Sequence, residues 1–288
     1  MAEKLDYFKM QQVVNPFGIL FHPIAIEKFI GYVVDQKTFV EKDFFFHNER
    51  WHCFDAHSDL SDSDIQMLVQ KANSAIEMSR KQLVESTHII ITYGTSWVYR
   101  ELTSGTIVAN CHKVAQQQFE KELLSVNIIQ ESIRNTIRQI REINQTAQII
   151  FTISPVRHIK DGFIENQWSK SNLISGLQLA TREQSSAKVI PPAYFPSYEI
   201  MMDELRDYRF YAEDMIHPNQ TAIDYIWERF SECYISETAH SVMEKINSIR
   251  KGLAHRPFDE NSKQHQQFLL KLDNSIAALQ VEYPNITF

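Results

Sequence analysis

The chain has 288 residues, 29 Lys and Arg against 36 Asp and Glu, a formal net charge of −7 and 43% hydrophobic residues. That size fits one large domain or one domain with an appendage. Basic residues scattered along an acidic chain exclude the electrostatic footprint of a nucleic-acid or anionic-membrane binder, so neither is expected as a partner. No run approaches the roughly 18 apolar residues of a membrane span; even Val13–Ile26 contains Asn15, Pro16, His22 and Pro23. The N-terminus MAEKLDYFKMQQVV carries charges where a signal peptide needs apolar residues, and Cys53, Cys111 and Cys233 form no closely spaced set, so a cytoplasmic location is expected.

In chain order, Phe8–Val14 reads as a strand bounded by a turn. Ser61 or Ser63 can cap a helix with apolar positions Ile65, Leu68, Val69, Ala72 and Ile76, running to about Glu85. His88–Tyr93 and Gln148–Ser154 are β-branched and almost uncharged, as buried parallel strands are. Between them Ile128, Ile129, Ile133, Ile137 and Ile140 mark a helix ending near Asn144. Helices follow at Asn166–Thr181, Ser197–Leu205 and Asn219–Tyr234, with a less regular strand at Lys188–Phe195. This alternation predicts a doubly wound α/β layer over residues 1–235. Residues 236–288 read as a helical appendage with helices Glu237–Gly252 and Asp259–Leu279. The stripe Phe268, Leu269, Leu272, Ile276 and Leu279 must be covered, either by the α/β body or by another subunit.

Ligands of such sheets gather at the C-terminal ends of the strands. The residues there are Asn15-Pro16-Phe17-Gly18, then Gly94-Thr95-Ser96-Trp97, then Asn110-Cys111-His112, then Ser154-Pro155-Val156-Arg157-His158, and last Asp214-Met215-Ile216-His217-Pro218. In D-x-x-H-P, three residues of turn return the aspartate to the imidazole. Asp214 can then hold Nδ1–H and leave Nε2 of His217 as a base, with Pro218 at the first helical position; a capping aspartate beside a solvent-facing histidine fits the same residues. Trp51–Asp59 is dense in ligand types but fits no zinc signature, and a polar loop at the mouth of the site is the alternative. Ser96, Ser154 and Cys111 are possible nucleophiles only if a base touches them.

The order of these elements resembles the SGNH (GDSL-type) hydrolases. The strings NPFGILFHP, ITYGTSWVYR, VANCHK, TISPVRHIKDGFIENQWSK and YFPSYEIMMDELRDYRFYAEDMIHPN resemble the GSCFA-domain family, a bacterial SGNH-like branch, over nearly the whole chain. The resemblance implies a three-layer α/β/α sandwich with a parallel, flavodoxin-like sheet plus C-terminal helices. It also implies metal-independent hydrolysis or transfer of an acyl ester, with no cofactor and a small-molecule ester or glycan as substrate. Asp214 and His217 match the acid and base. Gly18, Gly94 and Thr95 match the oxyanion turns, with Asn15 beside them. Ser96 and Trp97 replace the expected asparagine and aspartate, which leaves Asn110 as candidate side-chain donor to the oxyanion, with His112 or Arg157 behind it; His158 is a further candidate lining the pocket.

The family's Gly-Ser-Cys-Phe-Ala string, which ends the first strand and carries the serine, does not occur in these 288 residues. The expectation is therefore a sheet lacking its first strand, with a slot between Phe8–Val14 and His88–Tyr93, and a site without its nucleophile. The rival expectation is a protein that binds a carbohydrate or acyl ligand in the same pocket without turning it over.

Overall fold

The computed structural model describes residues 1–182 and 190–288. The elements are α1 (Ala2–Tyr7), α2 (Pro23–Val34), β1 (Phe45–His47), β2 (Arg50–His52), α3 (Ile65–Glu85), β3 (His88–Tyr93), β4 (Trp97–Glu101), β5 (Ile107–Val108), β6 (Phe119–Leu123), α4 (Val126–Ile143), β7 (Gln148–Ile153), α5 (Phe163–Arg182), β8 (Ala193–Phe195), α6 (Ser197–Glu199), α7 (Gln220–Tyr234), α8 (Glu237–Leu253) and α9 (Lys263–Glu282). Two compact units result, one of Asn15–Ile226 and one of Met1–Val14 with Trp227–Phe288.

The larger unit is α/β, built on a parallel sheet ordered β3-β7-β8. Its β3–β7 register runs from His88↔Gln148 to Tyr93↔Ile153. Ile149, Phe151 and Ile153 are fully buried together with Ile129, Ile133, Ile137 and Ile140 of α4 and Leu173 and Leu177 of α5. The helical period of α4 thus meets the two-residue period of β7, the condition for a helix to cover a sheet face. Gly176 makes this packing close, because a Cβ there would lie 2.5 Å from Ile129 Cγ2. A second, antiparallel sheet ordered β5-β4-β6 follows β3, and none of its strands is expected from the sequence. Of the expected strand Lys188–Phe195, positions 188 and 189 lie outside the described residues and Ala193–Phe195 forms β8.

Phe8–Val14 is not a strand, which corrects the sequence reading. Phe8 caps the end of α1, Lys9 follows at φ 58°, and Phe8 packs with Ile246, Ile249, Leu272 and Leu279 of the smaller unit. Its ring stacks on Trp227 at 5.8 Å, while Tyr7 donates to Asn247 Oδ1 at 2.8 Å. Burial against helices overrides the local β pattern. The expected slot therefore has no strand at Phe8–Val14 to border it, and among the described residues β3 pairs with β7 alone. Within the smaller unit, Leu272 and Leu279 of α9 are covered by Ile246 and Ile249 of α8 and by Ile286.

Neither Ser61 nor Ser63 caps α3. Asp64 does, accepting from the N–H of Gln66 at 2.7 Å and of Met67 at 3.2 Å. The start of the central strand β7 is fixed by Asn144, whose Nδ2 donates to the carbonyls of Leu83, Val84 and Ser86 at 2.7–3.2 Å. Its Oδ1 accepts from the N–H groups of Thr146 and Ala147 at 3.1 and 2.9 Å. Asn144 is 5% exposed, so loss of its amide would strand several buried backbone groups. Asn144→Ala should lower unfolding free energy by about 2–4 kcal/mol, read by chemical denaturation, since each unsatisfied buried group costs about 1–3 kcal/mol; a change within experimental error would contradict this.

Candidate functional site

Between α6 and α7 the chain folds back on itself, with Tyr211 and Pro218 bridged and the Ala212 N–H donating to the His217 carbonyl at 2.7 Å. The tip is Asp214–His217. Met215 there takes φ 59°, a costly conformation for a side-chain-bearing residue. Asp214 Oδ1 offsets that cost by accepting from the N–H groups of Ile216 and His217 at 2.9 and 3.0 Å. Its other oxygen, Oδ2, lies 2.6 Å from His217 Nδ1. Hydrogen bonds from the His217 backbone and ring and from the Ile216 N–H hold the Asp214 carboxyl down at about 2. An ionised Asp214 accepts, so Nδ1 carries the proton and Nε2 is the basic nitrogen. The expected contact is thus present, and among the described residues Nε2 has no hydrogen-bond partner. The pair is open to solvent, with His217 59% and Asp214 45% exposed at the side chain. Pro218 does not start α7; Asn219 caps it, accepting from the Ala222 N–H at 3.1 Å.

The turn is held against the extension of β7. The Arg157 N–H donates to the Ile216 carbonyl at 3.3 Å and its Nη1 to the Met215 carbonyl at 3.1 Å. Next to Arg157, the His158 N–H donates to Asn166 Oδ1 at 2.7 Å. Burial, with the nearby Lys170 charge and that of His217, pushes the His158 imidazole down to about 4, so it is neutral at pH 7.

Beneath these residues lies Lys170 of α5, 0% exposed, whose Nζ donates to the carbonyls of Gly94 and Ser154, each at 2.7 Å. It ties together the turns that end β3 and β7. Burial lowers the Lys170 pKa to about 7. Thr95 and Ser96 are fixed from the same helix, the Ser96 N–H donating to Ser169 Oγ at 2.8 Å and Thr95 Oγ1 lying 3.1 Å from it.

A second group of expected residues gathers on the loop after β2. Gly18 has φ 73°, and a Cβ there would fall 2.3 Å from His57 Cβ, so only glycine fits. Asn110 Oδ1 accepts from the His112 N–H at 2.8 Å and its Nδ2 donates to Ser58 Oγ at 3.4 Å. His112 Nε2 donates to the Cys53 carbonyl at 2.7 Å, and burial lowers its pKa to about 4. Phe21 connects the two groups, its ring edge-to-face at 6.4 Å from both His57 and His158. Among the described residues neither Gly18 nor Asn110 is hydrogen-bonded to Asp214 or His217.

The backbone donors expected in the oxyanion turns are engaged. Gly94 and Thr95 donate to the Phe21 carbonyl at 2.8 and 3.2 Å, and Gly18 donates to the Asn15 carbonyl, at φ 45° for Asn15, at 2.7 Å. In the ligand-rich loop, His52 Nδ1 lies 2.6 Å from Ser61 Oγ and His57 Nδ1 lies 3.0 Å from Asp59 Oδ2. Among the described residues no three His, Cys, Asp or Glu side chains converge on a point that would hold a metal ion. Cys111 is half-buried, and burial raises its thiol to about 11, which opposes a thiolate at neutral pH.

No signal in the sequence marks Lys170 as the brace between strand ends. Its folded pKa of about 7 lies below the unfolded value of about 10.4. The unfolded chain therefore binds the extra proton between those values, and stability from this residue rises as pH climbs from about 7 to 10. Urea unfolding of the natural chain against Lys170→Met should show a stability difference growing in favour of lysine over that interval. A difference independent of pH would contradict it.

A family model described as "GSCFA family" matches residues 1–230, and one described as "GSCFA domain protein, C-terminal domain" matches residues 246–288. No curated protein and no solved structure gives a significant match. Among the described residues no helix is long and apolar enough to cross a membrane. Matched by family models over most of its length, the chain belongs to the GSCFA family.

Proposed function

We propose that the Asp214–His217 turn is the acid–base half of an SGNH-like site for hydrolysis or transfer of an acyl ester. The observation that carries the reading is the contact at 2.6 Å between His217 Nδ1 and Asp214 Oδ2, which leaves the opposite ring nitrogen basic and accessible. In this reading a serine hydroxyl attacks the ester carbonyl, His217 Nε2 takes its proton and returns it to the leaving alkoxide, and Asp214 holds the imidazolium formed in between. Among the described residues no hydroxyl or thiol lies in hydrogen-bond contact with Nε2, so in this reading they supply the base and place no nucleophile beside it.

A second reading, a binding protein for a carbohydrate or acyl ligand on the same fold, is favoured by one specific observation. The N–H groups of Gly18, Gly94 and Thr95 already donate to protein carbonyls, and an oxyanion hole needs such donors free and aimed.

The two readings separate in an esterase assay with short p-nitrophenyl acyl esters. The 288-residue chain should show no turnover above its His217→Ala variant. The same chain joined at its N-terminus to a strand ending Gly-Ser-Cys-Phe-Ala should hydrolyse them, and should lose about 10²–10⁴-fold on His217→Ala, the usual contribution of a general base. An inactive extended chain favours the binding reading; His217-dependent turnover by the 288 residues alone would mean that the nucleophile lies within them.

A further inference from the structure

Arg157 stands at the candidate site as an uncompensated cation in an aromatic frame. Its guanidinium carbon lies 5.8 Å from the ring centroids of Phe163 and Tyr208 and 5.5 Å from that of Tyr211. The neighbouring carboxylates are otherwise engaged: Asp161 with Lys121 at 2.5 Å, Asp207 with Arg209 at 3.0 Å and Asp214 with His217 at 2.6 Å. Arg157 itself makes no ion pair among the described residues. Its side chain makes one hydrogen bond there, from Nη1 to the Met215 carbonyl. A guanidinium has five N–H donors in one plane, so most of that fork is free. The rings and the carbonyl restrain the group without neutralising it, and a restrained fork loses less rotational freedom when it grips a planar oxyanion. The frame is also exposed, Phe163 at 70% and Tyr208 at 61%, so it offers apolar surface to the uncharged part of a ligand.

We propose that Arg157 is the specificity-determining residue of this site and recognises an oxyanion, carboxylate or phosphate, carried by the ligand, whose uncharged body rests on Phe163 and Tyr208. The proposal rests on reading the Asp214–His217 turn as a ligand site and would narrow its substrates to anionic esters. A neutral acyl sugar would leave the guanidinium unused.

The test uses the natural 288-residue chain and needs no turnover. Phenylglyoxal modifies accessible guanidinium groups, and the rate at Arg157 is read by peptide mass spectrometry with inorganic phosphate, acetate or chloride at matched ionic strength. Phosphate or acetate should slow modification at Arg157 about tenfold at roughly ten times its dissociation constant, leaving Arg209 and Arg256 unaffected. Protection by phosphate alone would identify a phosphate-bearing ligand, and protection by acetate alone a carboxylate-bearing one. Equal rates in all three salts, or equal slowing at Arg209, would overturn the proposal. As a second measurement, the His217 ring resonances should shift saturably with the protecting anion, less steeply in Arg157→Lys and not in Arg157→Met. Retained protection of Arg157 in His217→Ala would show that the anion site stands even if the acid–base reading fails.

Discussion

Two hydrogen bonds from one buried amine hold the candidate site together. Lys170 Nζ reaches the carbonyls of Gly94 and Ser154, the residues that follow β3 and β7. Parallel strands are joined along their length by ladder bonds, but the ladder stops where the chain turns away, and the ends would be free to separate there. A group with short, directed donors at that point fixes the spacing of the two turns. Everything on the β7 side is then set in sequence. Ser154 leads to Arg157, and Arg157 reaches back through its N–H and Nη1 to the carbonyls of Ile216 and Met215. In this way a turn with no sheet partner of its own acquires a fixed place. Full burial of a lysine is rarely stable unless its donors are satisfied, and here two carbonyls accept from it while the Tyr198 ring lies 5.5 Å from Nζ.

The charges around the site follow the same economy. His158 and Lys170 lie inside and are driven toward their neutral forms by burial. Asp214 is outside, ionised, and used up by His217 and two backbone N–H groups. Beside that paired carboxylate, the Arg157 guanidinium lies among the rings of Phe163, Tyr208 and Tyr211 and donates to the Met215 carbonyl.

Much of this was legible in the sequence where local pattern and burial agree. His88–Tyr93 and Gln148–Ile153 are β-branched runs with almost no charge, and they pair in parallel. The isoleucines of α4 recur at helical spacing and are buried along it. Asp214 and His217 stand three residues apart, a spacing that a turn closes, and they meet. What was hidden depends on distant partners. Phe8 has the composition of a strand residue, yet its place is decided by Trp227 and the helices of the C-terminal region. The β4–β6 sheet has no long apolar run to mark it, because Arg100 and Glu122, which look solvent-facing in isolation, form an ion pair across the two strands at 2.5 Å. The roles of Lys170 and Arg157 depend on carbonyls 16 and 76 residues away for Lys170 and 58 and 59 residues away for Arg157. No local window contains them. Asn110 and His112 follow β5, a strand that the sequence does not reveal, and their donors are spent on Ser58 Oγ and the Cys53 carbonyl.

The central claim is that Asp214 sets the tautomer of His217. An isolated neutral imidazole has two tautomers available, whereas the contact with an ionised Asp214 requires the proton on Nδ1. Nitrogen-15 NMR of the histidine rings at a pH where His217 is neutral measures this directly. The account predicts a protonated Nδ1 and a lone-pair-bearing Nε2 for His217, with the preference lost in Asp214→Ala. A His217 protonated at Nε2, or one whose tautomer is the same with and without Asp214, would contradict it.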